Sequence, residues 1–211
     1  MEYTIKVSKV NSDSNSDLKA MASITFEGAY KVNNISIVEA KGHTFINMPS
    51  YQTHEVDDNG RAVYKDVCHS ISSDFSKQLY KDILKLYKDV CETNSNSMDM
   101  DFGEENGLNV SVSVHPIEKD NVAAIASVYF DNKFVVNNIR IMHGAKGEFV
   151  SMPNYKTNKL DEAGKPVYKD ICYPVTAEFR EKLYGDIVNA YHKLSEDKDK
   201  NIDSPIKHNS R

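Results

Sequence analysis

Apolar and polar residues alternate at the start of the chain, with Ile5, Val7 and Val10 on one side, and the spacing returns at Val112, Val114 and Ile117. That two-residue period predicts a half-buried strand in each place. Two longer apolar runs follow in both regions, "LKAMASITF" then "YKVNNISIV", and "VAAIASVYF" then "FVVNNIRIM". The residues between them, with Gly28 in one and Asp131-Asn132 in the other, predict tight β-hairpins. A short strand, "TFINMP" or "EFVSMP", ends at proline in both. Next come polar stretches, 50–62 and 154–166, expected as long loops turning at Gly60 and Gly164, then a fifth short strand, "VYKDVC" or "VYKDIC". The period then changes to that of a helix. Phe75, Leu79, Ile83, Leu86, Tyr87 and Val90 share one face, as do Phe179, Leu183, Ile187, Tyr191 and Leu194. Ser72 or Ser73 and Thr176 are the expected N-caps.

The two halves of this pattern are one domain written twice. Residues 22–90 align with 126–194 at a constant offset of 104, and 26 of the 69 pairs are identical. The period is too long for a solenoid unit and fits a whole small domain. Strands followed by a helix, without alternation, predict α+β domains, each a mostly antiparallel sheet of about five strands with a C-terminal helix. Small domains commonly work as symmetric dimers, so the two copies are expected to pack as an intrachain pseudo-dimer. The expected division is a first domain over 1–90, an acidic mobile linker over 91–109, a second domain over 110–195 and a disordered charged tail over 196–211. The linker is long enough to allow pairing within one chain or between chains, and higher oligomers remain open.

Charge narrows the ligand. The net charge is −5, and the acidity sits in 91–109, which holds five acids and no base; 1–90 comes to −1 and 110–195 to +1. A strongly basic surface that grips nucleic acid tightly is therefore not expected. No apolar run is long enough to span a membrane and the start, MEYTIKVSKV, is not a signal peptide, so a cytoplasmic location is expected. Cys68, Cys91 and Cys172 have no C-x-x-C spacing, so no metal is expected. Cys68 and Cys172 are repeat equivalents and read as small core residues, with a disulfide between the copies as the alternative. No histidine has a histidine at the equivalent position of the other copy, and no phosphate-binding glycine loop or nucleophile motif is present. No catalysis and no cofactor are expected. Asp57-Asp58 opposite Asp161-Glu162 read as plain surface acids.

Ala-Ser-Ile at 22–24, "VNNISIV", "FINMPS", Lys65-Asp66 and a helix carrying Tyr87 occur in this order in the first copy; "ASV", "VNNIRIM", "FVSMP", Lys169-Asp170, Pro174 and Tyr191 answer them in the second. The combination resembles the stage V sporulation protein G (SpoVG) family of septation regulators, whose usual members carry one copy. The resemblance implies a dimeric sheet-and-helix fold and a non-catalytic regulator that binds DNA or RNA and affects septation, sporulation or gene expression. After Met-Pro-Ser the family has two basic residues and Thr. The second copy has Tyr155, Lys156, Thr157 there, and the first Tyr51, Gln52, Thr53. The family's Arg-x-Lys at the helix start is kept as Arg180 and Lys182, against Ser76 and Gln78. Its Asp-x-x-His-Pro stands as Asp66, His69, Ser70 in the first copy and Asp170, Tyr173, Pro174 in the second.

Weak nucleic-acid binding is therefore expected mainly from the second copy, through Lys156, Arg180 and Lys182, with Lys169 and Lys65 as further candidates. The competing reading of the first three is a solvated surface, since Glu178 and Glu181 flank Arg180. For Lys65-Asp66 and Lys169-Asp170 the competing reading is a structural pair tying loop to sheet. The retained pairs Asn33-Asn34 and Asn137-Asn138 suggest a bulge or a polar stripe at a sheet contact. The alternative function is a protein-interaction module that uses sheet edges or the acidic linker to hold a partner, or a fused scaffold that pairs with single-copy relatives.

Overall fold

The computed structural model describes residues 1–10, 16–93, 96–101 and 107–202, without the side chains of Glu118 and 195–202. The first copy contains β1 (Glu2–Lys9), β2 (Leu18–Phe26), β3 (Tyr30–Ala40), β4 (His43–Asn47), β5 (Ser50–Val56), β6 (Ala62–Asp66), β7 (Cys68–Ser70) and α1 (Ser73–Thr93). A further strand, β8 (Ser97–Asp101), precedes the second copy. That copy contains β9 (Val110–Lys119), β10 (Val122–Phe130), β11 (Phe134–Gly144), β12 (Gly147–Ser151), β13 (Asn154–Leu160), β14 (Pro166–Asp170), β15 (Cys172–Pro174) and α2 (Ala177–Ile202). All strand pairs between these elements are antiparallel, and the fold is α+β.

The hairpins form where expected. Glu27 and Gly28 join β2 to β3 with φ of 46° and 61°, and Asp131 and Asn132 join β10 to β11 with φ of 49° and 53°. Two consecutive positive φ values mark the turn whose twist matches paired strands. A side chain helps hold each turn: Asp131 Oδ1 accepts the Asn109 N–H at 2.9 Å, and Glu27 Oε1 accepts the Glu2 N–H.

The asparagine pairs mark bulges. Asn34 and Asn138 sit at φ 62° and 59°, and the ladder slips opposite them, between Ala22 and Ile24 and between Ala126 and Val128. Each bulge divides the outer edge of its strand. Beyond it β4 pairs with Ser36–Ala40, and before it a strand from the other copy pairs instead. There β15 lies against β3, with Tyr30 opposite Pro174 and Val32 opposite Cys172. Reciprocally, β7 lies against β11, with Phe134 opposite Ser70 and Val136 opposite Cys68. The Asn33 N–H donates to the Ile171 carbonyl and the Asn137 N–H to the Val67 carbonyl, both at 2.8 Å. Each copy thus lends a strand to the other's sheet, which makes the chain an intrachain pseudo-dimer.

The core runs through this exchange. Phe26 packs tilted against Phe134 with centroids 4.9 Å apart and Tyr30 against Phe130 at 4.7 Å, and all four are buried. Such pairs add roughly 0.5–1.5 kcal/mol each beyond their area burial. From α1, Phe75, Leu79, Ile83, Leu86 and Val90 are buried; from α2, Leu183, Ile187 and Tyr191. Ser72 and Thr176 cap the helices, accepting the Phe75 and Phe179 N–H at 3.4 and 3.2 Å.

Three expectations are revised. The polar stretches are not loops. β5 pairs with β6 and β13 with β14, forming two exposed two-stranded arms. Both faces of such a ribbon meet solvent, so its alternation lacks the apolar signal of a core strand. Thr53 and Thr157 tie each arm across by donating to the Val63 and Val167 carbonyls, at 3.0 and 2.8 Å. The fifth strand is accordingly split at Val67 and Ile171, its first part in the arm and its second in the other copy's sheet. Second, the segment expected as a mobile linker starts with the end of α1 and holds β8, which pairs along β1 from Ser97 opposite Lys6 to Asp101 opposite Glu2. Met98 and Met100 alternate with its acids and pack against the core, a two-residue pattern hidden by the charge. Third, α2 continues to Ile202 where the tail was expected to begin at 196; residues 203–211 of that tail lie outside the described residues.

Candidate nucleic-acid interface

The strand exchange builds a groove between the copies. β14 leaves the arm at Asp170, and β15 crosses to β3, placing Tyr173 opposite Lys31 and the arm's base beside the Asn33-Asn34 bulge. The first turn of α2 follows, its Arg180 N–H donating to the Thr176 carbonyl at 3.1 Å. Asn33 and Asn34 from the first copy, with Tyr155, Lys169, Asp170, Tyr173 and Arg180 from the second, enclose a groove of about 550 Å³. Asn34 and Tyr155 also border a neighbouring polar groove of about 590 Å³ that reaches Asn47, Asp66 and Tyr80.

Lys169 and Tyr155 are in register across the arm and share a face, so a cation stands beside a phenol ring at the groove wall. Arg180 comes from the opposite element. A helix N-terminus carries partial positive charge, so the Arg180 guanidinium adds to a field that already favours an anion. Asp170 is the one carboxylate among the described residues that line this groove. Burial pushes its carboxyl up from the ordinary range, and the nearby Arg180 pulls it back in part. Burial likewise raises the Tyr184 phenol, which Arg180 opposes.

The five basic residues named from the sequence are not brought together as a group. Lys169 and Arg180 line the one groove. Lys156 is in register with Tyr168, one position along, so strand alternation puts it on the opposite face of the arm. Lys182 pairs with Asp186 at 2.9 Å, one helical turn away. Lys65 lies on the first arm and pairs with Glu55 at 3.4 Å. Its pairing is across the arm, not loop to sheet. Sequence reasoning missed Tyr155 and Tyr173 as groove walls and Asn33-Asn34 as a floor contributed by the first copy. The retained Tyr beside Lys156 and the retained asparagines were the available signals. It also missed the contrast between the arms. Residues 154–170 hold four lysines against three acids, whereas 50–66 hold two bases against four acids. Among the described residues no group of three or more His, Cys, Asp or Glu could hold a metal ion, and no helix is long and apolar enough to cross a membrane.

The SpoVG family model matches residues 1–89 and again 109–193. The chain belongs to the SpoVG family. Each matched segment corresponds to one copy, so this SpoVG chain carries two family units where its relatives match one. It is 42% identical over 76 residues to a protein of Clostridium botulinum (strain Alaska E43 / Type E3) named "Putative septation protein SpoVG", covering 36% of this chain and 77% of that one. A protein of the same name from Thermoanaerobacter sp. (strain X514) is 37% identical over 79 residues, 37% of this chain and 79% of that one. Within the SpoVG framework, this groove brings two cations of the second copy, Lys169 and Arg180, to the first copy's Asn33 and Asn34.

Proposed function

We propose that this tandem SpoVG protein is a non-catalytic regulator of septation or gene expression that binds DNA or RNA weakly through the groove between its copies. The observation that carries the reading is that Lys169 and Arg180 face one groove floored by the first copy's Asn33 and Asn34. Two cations suit one or two phosphates. The asparagine amides offer further donors to phosphate or sugar oxygens, and Tyr155 and Tyr173 offer aromatic walls against which an unpaired base could stack, each worth about 1–3 kcal/mol. Asp170 within the groove opposes an anion and keeps the affinity low. Lys156, Lys182 and Lys65 are peripheral in this reading.

Two phosphate contacts give a log–log salt slope of about −1.4 for single strands and −1.8 for duplex, so raising salt from 50 to 200 mM costs roughly seven- to twelvefold in affinity. Fluorescence anisotropy of labelled DNA and RNA pools at several salt concentrations tests this. The Lys169→Ala/Arg180→Ala variant is expected to lose both affinity and slope, and Lys182→Ala to keep both. Undiminished binding by the double variant, or no binding by the parent even at low salt, overturns the reading.

A further inference from the structure

The two sheets are not equally finished. β1 has a strand on each side, β2 and β8. Its counterpart β9 has a single strand neighbour among the described residues, β10. The registers fix the equivalence: Thr4 stands opposite Thr25, and Ser111 opposite Tyr129, which lies 104 residues after Thr25. Tyr3, Ile5 and Val7 therefore correspond to Val110, Val112 and Val114. On β1 these three residues are 2%, 0% and 0% exposed, whereas Val110 and Val112 are only half-buried. The uncovered apolar surface lies beside the open edge.

β8 shows what such an edge accepts. The Val7 N–H donates to the Asn96 carbonyl at 3.0 Å, so on β1 the N–H groups of the core-facing residues point outward to β8. Equivalence places the N–H groups of Val110, Val112 and Val114 on the open edge of β9. Met98 stands opposite Ile5 and Met100 opposite Tyr3, extending the core, while Thr4 Oγ1 donates to Asp99 Oδ1 at 2.7 Å. On β9, Ser111 keeps a hydroxyl at the Thr4 position and Ser113 replaces Lys6. Exposed edges are usually blunted by charge or proline, yet Val110–Val114 contains neither, and Pro116 comes only further along.

We propose that the Val110–Val114 edge of β9 is a docking site for an extended peptide segment of a partner protein, alternating apolar and acidic residues, which adds antiparallel and completes the second sheet as β8 completes the first. Main-chain hydrogen bonds give such strand addition its affinity, and alternate side chains give its specificity. The apolar positions pack opposite Val110 and Val112, and an acid between them takes the Ser111 hydroxyl.

The test uses the full chain and a capped peptide of sequence NSMDMD, that of residues 96–101. Because β8 occupies β1 in cis, the β9 edge is the counterpart of β8's own site that is left open to it. Hydrogen exchange read residue by residue is expected to slow at the amides of Val110, Val112 and Val114 when the peptide is added. Peptide NSSDSD, lacking the apolar positions, is expected to bind roughly tenfold more weakly or worse. Val112→Pro removes an outward N–H without removing a bond to β10 and is expected to abolish the protection. Exchange within β10 and β11 checks that the variant is folded, and Val112→Ala, which keeps the N–H, gives a second reading, with protection retained. Protection absent from β9, equal binding of both peptides, or a concentration-dependent dimer that buries β9 and excludes the peptide would each overturn the proposal.

Discussion

Replacing Tyr3 with Phe removes one oxygen from a buried contact and leaves the packing in place. Asp82 is the buried charged residue of α1, 2% exposed. The Tyr3 hydroxyl donates to its Oδ2 at 2.7 Å, and the Gln78 amide reaches both carboxylate oxygens at 2.9 and 3.0 Å. Burial first, and then the Asp82 carboxylate, push the Tyr3 phenol far above its ordinary range, so it remains a donor at any working pH. The ring's edge contacts with Phe75 and Phe26, at 5.6 and 6.4 Å, survive in the variant. The loss is therefore one charge-assisted hydrogen bond to a group that cannot turn to water, about 1.5–3 kcal/mol. It should fall below the 3–5 kcal/mol of a broken buried ion pair, because Gln78 still serves the carboxylate. At roughly 2–4 °C per kcal/mol for a chain of this size, a loss near 2 kcal/mol lowers Tm by about 4–8 °C. Urea unfolding and calorimetry of Tyr3→Phe measure it. Tyr3→Phe/Asp82→Leu should recover part of the loss, since removing both partners leaves no orphaned charge. A Tyr3→Phe variant within about 0.5 kcal/mol of the parent, within the range of ordinary surface substitutions, would refute the reasoning. The second copy has Val110 in place of Tyr3, and its Asp186 pairs with exposed Lys182 instead, so Asp186→Asn should have a much smaller effect.

Three further outcomes follow from local chemistry. Burial pushes the Cys172 thiol up to about 12 and raises Cys68 as well, while Cys91 is exposed. A thiol reagent at pH 8 should titrate one cysteine in the native chain and three in denaturant, and rapid native reaction of two or three would contradict the burial. Asn34→Ala must hold φ near 62° without the asparagine's tolerance for that region and should cost about 1–2 kcal/mol, whereas Asn34→Gly should be close to neutral; equal urea midpoints for the two would remove the strain argument. The Glu148 carboxyl lies below its ordinary range, chiefly through its own backbone N–H, and then through His192 and His143 at 3.6 and 3.7 Å. A lowered folded-state value stabilises the ionised form above the usual carboxylate range, and that contribution is lost as pH falls through it. Glu148→Gln should thus be less stable than the parent at pH 6, with the gap closing below about pH 4 in melts across pH; a gap that persists in acid would contradict the assignment.

The repeat, the alternating core strands, both helices and their caps, and the tight turns were legible in the sequence because each rests on residues close along the chain. Alternation, helical period and a turn's demand for positive φ are local properties. The asparagine pairs stood out in the same way, as polar breaks in apolar runs read as a bulge or a polar stripe, and the structure makes them bulges. Which strand each bulge admits was not, because β7 and β15 are three residues long and find their partners in the other copy, a choice made by the fit of Phe26, Tyr30, Phe130 and Phe134. The arms were hidden because a ribbon solvated on both faces has the composition of a loop. β8 was hidden because its acids masked the alternation of Met98 and Met100. The candidate groove shows the limit most plainly. Lys169 and Arg180 were identified from the sequence alongside Lys156, Lys182 and Lys65, but charge alone cannot tell which face of an arm a lysine takes or which carboxylate engages it. The arm's register sets the first, side-chain pairs such as Lys65–Glu55 and Lys182–Asp186 set the second, and the joining of Lys169 and Arg180 to Asn33 and Asn34 brings together residues more than a hundred positions apart, so only the tertiary structure decided them.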